Sequence, residues 1–282
     1  MTRTTKRRAP GRRRWLLLLA AGILLWLMLT GLVERLLVYY PTRAITGTPA
    51  EIGLDYREIH LTAEDGVRLH GWFVPHTGAR STILLFHGNA GNIGHRVPWI
   101  DLLHAAGMHV FIIDYRGYGL SEGSPDEAGL YRDARAAYAW WSRERSGEEK
   151  LIVAGESLGG AVAVDLASRV RVDGLVLQST FTSAWDMAKT LMPLGLLQPL
   201  TRIRFDSAAK IAAVRCPTLF IHGDRDEIVP LYLGQRLYQL APEPKVIFEV
   251  PGARHNDLLW VAGPAYTEQV RKFVERIERT VQ

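Results

Sequence analysis

One six-residue stretch, Gly155-Glu156-Ser157-Leu158-Gly159-Gly160, limits what this chain can fold into more than any other. The chain enters it from a short apolar run, Leu151-Ile152-Val153-Ala154, and leaves it through an apolar, helix-compatible stretch from Ala161 to Val170. A strand, a Gly-x-Ser-x-Gly turn and a helix in that order form the context in which such a serine carries chemistry. The tight turn forces the serine into strained backbone geometry, and only small residues at 155 and 159 let the two backbones approach. Ser157 then stands at the carboxyl edge of a sheet. The N–H of Leu158, at the start of the helix, points toward any oxyanion that develops there. The same pentapeptide also occurs in ordinary βα turns, but the flanks here favour a nucleophile.

The remaining elements must build a sheet around that turn. Tyr56 to Thr62 and Val67 to Val74 alternate in polarity and flank Glu64-Asp65-Gly66, the pattern of a hairpin. Thr82 to Phe86, Met108 to Ile113, Leu151 to Ala154, Gly174 to Gln178, Pro217 to His222 and Val246 to Val250 are the short apolar runs of buried strands. Helical stretches fall between them: Pro98 to Ala106 closed by Gly107, Pro125 to Arg145 with Ser124 as N-cap, and Ala265 to Val281 at the end. Strand and helix alternate after an initial hairpin. This order predicts an α/β architecture: a mostly parallel central sheet with helices on both faces. Residues 180–209 break the alternation. They hold Phe181, Trp185, Met187, Leu191, Met192, Leu194, Leu196 and Leu197, with Pro193 and Pro199 interrupting any long helix. That is too long and too apolar for a crossover helix alone, so a small cap with a greasy inner face is expected.

The net charge of +5 resembles a nucleic-acid signal until it is located. The first 14 residues hold seven of the basic side chains and no acid, which leaves the remainder at −2. No nucleic-acid partner is therefore expected. After this tail, residues 15–33 form a 19-residue run in which Thr30 is the only clearly polar side chain. At about 1.5 Å per residue it matches the ~30 Å hydrocarbon core of a bilayer. A cleaved signal peptide has a shorter apolar region and a small-x-small site, and Arg12-Arg13-Arg14-Trp15-Leu16 matches a twin-arginine signal only loosely. An uncleaved transmembrane signal anchor is the expectation. Its basic flank puts the N-terminus in the cytoplasm and the rest of the chain on the other side. Residues 34–51 read as a linker, with Pro41, Gly47 and Pro49 against regular structure. Residues 52–282 then form one domain. The single cysteine, Cys216, excludes an intrachain disulfide framework and a cysteine-rich zinc site.

A serine hydroxyl needs a base, and the base needs an acid to orient it. Of nine histidines, His60, His70, His76, His104 and His109 lie in strands or helices of ordinary pattern. His255 lies in the loop Pro251 to Asp257, after the last strand and therefore at the same sheet edge as Ser157. The loop Gly223-Asp224-Arg225-Asp226-Glu227 comes after the penultimate strand and offers the acid. Serine, acid and histidine then succeed one another in chain order. Asp114, after an earlier strand, is a rival acid in a turn rich in glycine. A second oxyanion donor is expected from the loop His87 to Gly94. There the Asn89 N–H is the best candidate and His87 reads as a prop for the loop. A phosphate cradle in that loop lacks the Gly-Lys-Ser/Thr ending it would need.

The string Phe86-His87-Gly88-Asn89-Ala90-Gly91-Asn92-Ile93-Gly94-His95-Arg96 is specific. Taken with Asp114 to Gly119, Gly155 to Gly160 and Gly252 to Asp257, it resembles one branch of the α/β-hydrolases. That membrane-anchored branch includes the animal alpha/beta-hydrolase-domain protein thirteen and has fungal and bacterial relatives. The likeness covers residues 55 to 280, and its elbow and acid loop are shared by many α/β-hydrolases. The resemblance implies Ser157 as nucleophile, Asp226 as acid and His255 as base, with Asn89 and Leu158 giving oxyanion N–H groups. Asp226 is singled out because Gly223, Asp226, Val229 and Pro230 match the pattern Gly-x-x-Asp-x-x-Val-Pro. The expected protein is a membrane-anchored serine hydrolase of acyl esters or thioesters. It needs no metal or organic cofactor and acts on a small-molecule or lipid-like acyl substrate. An amidase or peptidase with the same triad is the alternative within enzymes, and a non-catalytic binding protein is the alternative outside them.

Overall fold

The computed structural model describes residues 15–19, 22, 26, 36–191 and 202–279. Its centre is an eight-stranded sheet. The strands are β2 (Arg57–Thr62), β3 (Arg68–Val74), β4 (Ser81–Phe86), β6 (His109–Ile113), β7 (Lys150–Glu156), β8 (Gly174–Gln178), β9 (Thr218–Gly223) and β10 (Lys245–Val250). They lie side by side in the order β10-β9-β8-β7-β4-β6-β3-β2. The β2–β3 hairpin and the β3–β6 pair are antiparallel, and every pair from β6 to β10 is parallel. The hairpin turns as its sequence predicts, with Gly66 at φ 84°.

Parallel strands must be covered on both faces, and these are. Ile83, Leu85, Val110, Ile112, Ile152, Ala154 and Val176 face one core layer. It is closed by Trp99, Ile100 and Leu103 of α1 (Val97–Ala105) and by Tyr266, Val270 and Phe273 of α8 (Pro264–Arg279). Leu84, Phe86, Phe111, Val153, Leu175 and Leu177 face the other. Helices α2 (Glu127–Glu144), α3 (Leu158–Ala167) and α6 (Leu231–Leu240) pack on this side. Side chains alternate strictly between layers because successive strand residues point to opposite faces. All ten residues of α3 are buried. Its one charge, Asp165, is matched by Lys210 at 2.9 Å and Arg169 at 3.1 Å.

Several boundaries differ from the sequence reading. The cap of α2 is Asp126 and not Ser124: the Asp126 carboxylate accepts the Gly129 N–H at 2.9 Å, and Pro125 precedes the cap instead of opening the helix. A short helix that the sequence did not suggest, α7 (Leu258–Ala262), precedes the C-terminal helix α8 and is separated from it by Gly263 at φ 48°. The linker is not irregular throughout. Residues 36–38 are helical, and β1 (Tyr40–Pro41) pairs in parallel with β5 (Ala90–Gly91). A 3-10 turn comes next at Pro49–Ile52.

The segment expected to form a cap begins with α4 (Ala184–Leu191) and rejoins the domain at α5 (Ser207–Lys210). Its two ends are pinned together by Ala184 N–H to Arg204 O at 2.8 Å and Ala208 N–H to Thr182 O at 2.9 Å. Phe181 and Phe205 are buried, and Met187 is half-buried against the core. Met192, Leu194, Leu196 and Leu197 lie outside the described residues. So do the tail 1–14 and, apart from residues 15–19, 22 and 26, the expected anchor 15–33. Among the described residues no helix is long and apolar enough to cross a membrane.

Candidate active site

The sheet delivers three loops to one edge. Strand β7 ends in the Ser157 turn, β9 in the Asp226 loop and β10 in the His255 loop, and β7, β8, β9 and β10 are consecutive neighbours. Ser157 has φ 52° and ψ −114°, a conformation that costs a non-glycine residue of order 1–3 kcal/mol. Bonds on both sides hold it there. Its N–H donates to Gln178 O at 2.9 Å, and its carbonyl accepts the Thr180 hydroxyl at 2.9 Å and the Gly160 N–H at 3.0 Å. The glycines are sterically required. A Cβ at Gly159 would sit 1.9 Å from the Phe86 carbonyl oxygen, and one at Gly155 would sit 2.2 Å from the Gly159 oxygen.

His255 and Asp226 meet side chain to side chain. The imidazole Nδ1 lies 2.8 Å from Oδ2 and 3.0 Å from Oδ1 of the carboxylate, and both residues are buried. Oδ1 also accepts the N–H groups of Ile228 at 3.0 Å and Val229 at 2.7 Å. His222 Nε2 lies 3.4 Å from Oδ2 while donating to Val229 O at 2.8 Å. Burial pushes the Asp226 carboxyl up, but hydrogen bonds from His222, His255 and Val229 outweigh it and hold the group well below the usual carboxylate range. An ionised Asp226 can only accept, so His255 must carry its proton on Nδ1, which leaves Nε2 as a base. Asp224 does something else. It is exposed, and its Oδ1 accepts the Gly252 N–H at 2.6 Å, tying the acid loop to the loop that carries His255. Ser157 Oγ makes no hydrogen bond among the described residues. Such contacts often tighten only when substrate is bound.

Leu158 opens α3, and neither its N–H nor that of Asn89 has an acceptor among the described residues. Asn89 itself is held from three sides. Its carbonyl accepts Tyr40 N–H at 2.9 Å and the Tyr118 hydroxyl at 2.8 Å, and its side-chain amide donates to Val38 O at 3.0 Å. His87 is fully buried, with Nδ1 2.7 Å from Gly88 O; burial and the nearby Arg96 push its pKa down to about 3, so it stays neutral as a prop. Asp114 is also buried, and burial raises its carboxyl. One of its oxygens accepts the Ile93 N–H at 3.0 Å, so the rival acid fastens the Asn89 loop and does not contact His255.

A cleft of about 640 Å³ opens beside these groups, lined by Tyr40, Ala90, Arg96, Glu156, Asn256 and Trp260 among others. Its wall therefore includes the residue before Ser157, the residue after Asn89 and the residue after His255. Arg96 Nε lies 3.1 Å from a Glu156 carboxylate oxygen across it. The sequence reading missed Tyr40, Glu156 and Trp260 as wall residues. No motif marks them, because three distant segments bring them together.

A family model described as alpha/beta hydrolase fold matches residues 81–200. An uncharacterized protein of Mycobacterium tuberculosis is 36% identical over 260 residues, covering 91% of this chain and 92% of its own. Protein bem46 of Schizosaccharomyces pombe is 36% identical over 257 residues, or 86% of this chain and 85% of the fungal one. A Saccharomyces cerevisiae protein described as an uncharacterized membrane protein is 36% identical over 237 residues, 80% of this chain and 82% of that one. Among solved structures, the Pyrococcus furiosus esterase Pf2001 has a TM-score of 0.73 at 22% identity, covering 85% of this chain and 98% of the esterase. At that identity the likeness is one of fold.

Proposed function

The chain belongs to the α/β-hydrolase family, and from that premise we propose that it is a membrane-anchored serine hydrolase cleaving acyl ester or thioester bonds. The observation that carries this reading is the His255–Asp226 pair, 2.8 Å apart at the same sheet edge as a serine held at φ 52°. In the proposed reaction, His255 Nε2 takes the Ser157 proton as Oγ attacks the acyl carbon. Asp226 keeps the imidazole in the tautomer that permits this and stabilises the imidazolium. The N–H groups of Asn89 and Leu158 bind the oxyanion of the tetrahedral intermediate. Collapse of that intermediate expels the alcohol or thiol, which takes the proton from His255. A water molecule then attacks the acyl-enzyme with His255 again as base, releasing the acid and restoring Ser157.

The same reading keeps residues 15–33 as an uncleaved anchor, with the tail 1–14 in the cytoplasm and the catalytic domain on the other side. Support comes from the apolar run, from the seven basic residues ahead of it, and from a relative described as a membrane protein. A fluorophosphonate probe tests the chemistry. The wild-type chain should label covalently, and Ser157→Ala should lose both labelling and esterase turnover while melting at the same temperature. A labelled Ser157→Ala variant, or a wild type that resists the probe, would remove the hydrolase reading.

A further inference from the structure

The chain leaves its expected anchor at the active-site edge. Residues 36–38 are helical, Tyr40 pairs with Ala90, and the Tyr40 N–H is bound to the Asn89 carbonyl. Several large apolar side chains meet solvent at this edge, among them the most exposed one outside residues 15–33. Leu36 is 65% exposed, Leu37 63% and Tyr40 52%; across the cleft, Trp260 on α7 is 89% exposed and Val261 45%. Tyr40 and Trp260 line the same cleft, so the two groups face one opening. Leu120, 59% exposed, comes directly after Gly119, whose N–H is bound to Thr42 O at 3.0 Å. An 89% exposed tryptophan beside a tyrosine and aliphatic side chains is a composition that water does not favour, and that the headgroup boundary of a bilayer does.

We propose that this face, with Leu36, Leu37, Tyr40 and Leu120 on one side of the cleft and Trp260 and Val261 on the other, rests on the lipid bilayer, so that the cleft opens onto the membrane surface. The proposal rests on the anchored-hydrolase reading and adds an orientation and a substrate source. The length of the tether carries it. Tyr40 is only the seventh residue beyond Val33, the end of the apolar run, a leash of at most about 25 Å if fully extended. A domain of about 230 residues has a radius of gyration near 17 Å and measures some ~45 Å across. A leash that short, fixed at the cleft, cannot bring the opposite edge of the sheet to the membrane. The substrate class this orientation selects is an amphiphilic ester resident in the leaflet. It would enter the cleft from the headgroup layer without first crossing bulk water.

The test uses the full chain reconstituted into phosphatidylcholine vesicles. A Trp260→Cys variant carries an environment-sensitive fluorophore, and Arg171→Cys, an exposed position beyond α3 at the other end of the sheet, carries the same label as control. Native Cys216 is buried, with its thiol pushed up to about 12, and will not take the label. Doxyl-labelled lipid should quench the fluorophore at 260 several-fold more than the one at 171. In a second measurement, Val261→Glu should keep turnover of a soluble short-chain ester and lose tenfold or more on an ester embedded in the vesicles. Equal quenching at the two positions, or equal loss on the two esters, would overturn the proposal, as would a chain that fails to float with the vesicles. Quenching at 260 retained by a chain that resists the fluorophosphonate probe would uphold the membrane face and remove only the hydrolase reading.

Discussion

Replacing Asp226 by Asn tests the site most sharply, because the neighbours of the carboxylate dictate the outcome. Oδ1 accepts two backbone N–H groups, at 3.0 and 2.7 Å, so an asparagine side chain at this position must place its carbonyl oxygen there. Its NH₂ then faces His255 Nδ1, which can form a hydrogen bond only as an acceptor. The imidazole proton moves to Nε2, where in the proposed reaction it would block removal of the Ser157 proton, and the charge that would stabilise the imidazolium is gone. The corresponding substitution in the serine-protease triad costs about 10⁴ in kcat, or roughly 5.4 kcal/mol at 1.36 kcal/mol per decade. Asp224→Asn keeps an oxygen for the Gly252 N–H and changes one exposed hydrogen bond, so about 0.5–1.5 kcal/mol is at stake. The assay is p-nitrophenyl ester turnover near pH 8, with the fluorophosphonate labelling rate and a thermal melt as companions. A loss of three to four decades in Asp226→Asn and less than tenfold in Asp224→Asn is expected. Equal or reversed losses in folded variants would refute the assignment. Stability gives a second sign. The Asp226 carboxyl is depressed in the folded state, so its contribution is complete above the ordinary carboxylate pKa and drains away as pH falls toward the folded value. Asp226→Asn should therefore flatten the acid limb of a stability–pH curve.

Three further outcomes are expected. Gly159→Ala should destabilise the fold by roughly 3 kcal/mol or more and abolish turnover, since its Cβ would meet the Phe86 carbonyl at 1.9 Å and backbone cannot move aside cheaply; a native-like melt would contradict the close approach. Esters of medium chain length should outperform acetate by roughly tenfold in kcat/KM for two added carbons, at about 0.8 kcal/mol per buried methylene, and a series that peaks at acetate would mean a short pocket. A reporter active only outside the cytoplasm, fused after Gln282, should be active, whereas activity of a cytoplasm-only reporter there would reverse the topology.

Much of this architecture could be read in the chain because the signals were local and agreed with one another. Strands β4, β8 and β9 are buried along their whole length and carry short apolar runs at their centres. The Ser157 turn carries glycines whose absence of side chain is sterically required. The His255 and Asp226 loops were legible by their place after strands. Elements fixed by distant partners were not. Helix α6 has Gly234 at its centre, which weakens its helical signal; a Cβ there would sit 2.3 Å from His222 Nδ1, so the glycine serves close packing against β9. The β1–β5 ladder is two residues long and joins positions 50 apart, leaving no periodicity to find. Ser124 and Asp126 are both good N-caps, and only the Gly129 N–H at 2.9 Å decides between them.

The strap from Val38 to Ala44 moves the functional border of the enzyme. Hydropathy divides the chain after Val33 and marks the next residues as dispensable spacer, yet the strap carries part of the hydrogen bonding of the Asn89 loop. Asn92, fully buried, donates its side-chain amide to Thr42 O at 3.0 Å and Ala44 O at 2.6 Å. The Gly119 N–H ends on Thr42 O, the Thr42 N–H ends on Gly91 O, and Arg43 reaches back to the carbonyl of Ser121. A soluble version cut at residue 45 would strand these groups together. Each buried polar group left without a partner costs about 1–3 kcal/mol, a sum comparable to the whole stability of an ordinary domain. A protease that nicks the chain between Val38 and Ala44 would therefore do more than separate the preceding residues from the domain. It would also loosen the loop that holds the Asn89 N–H, and with it the proposed oxyanion site.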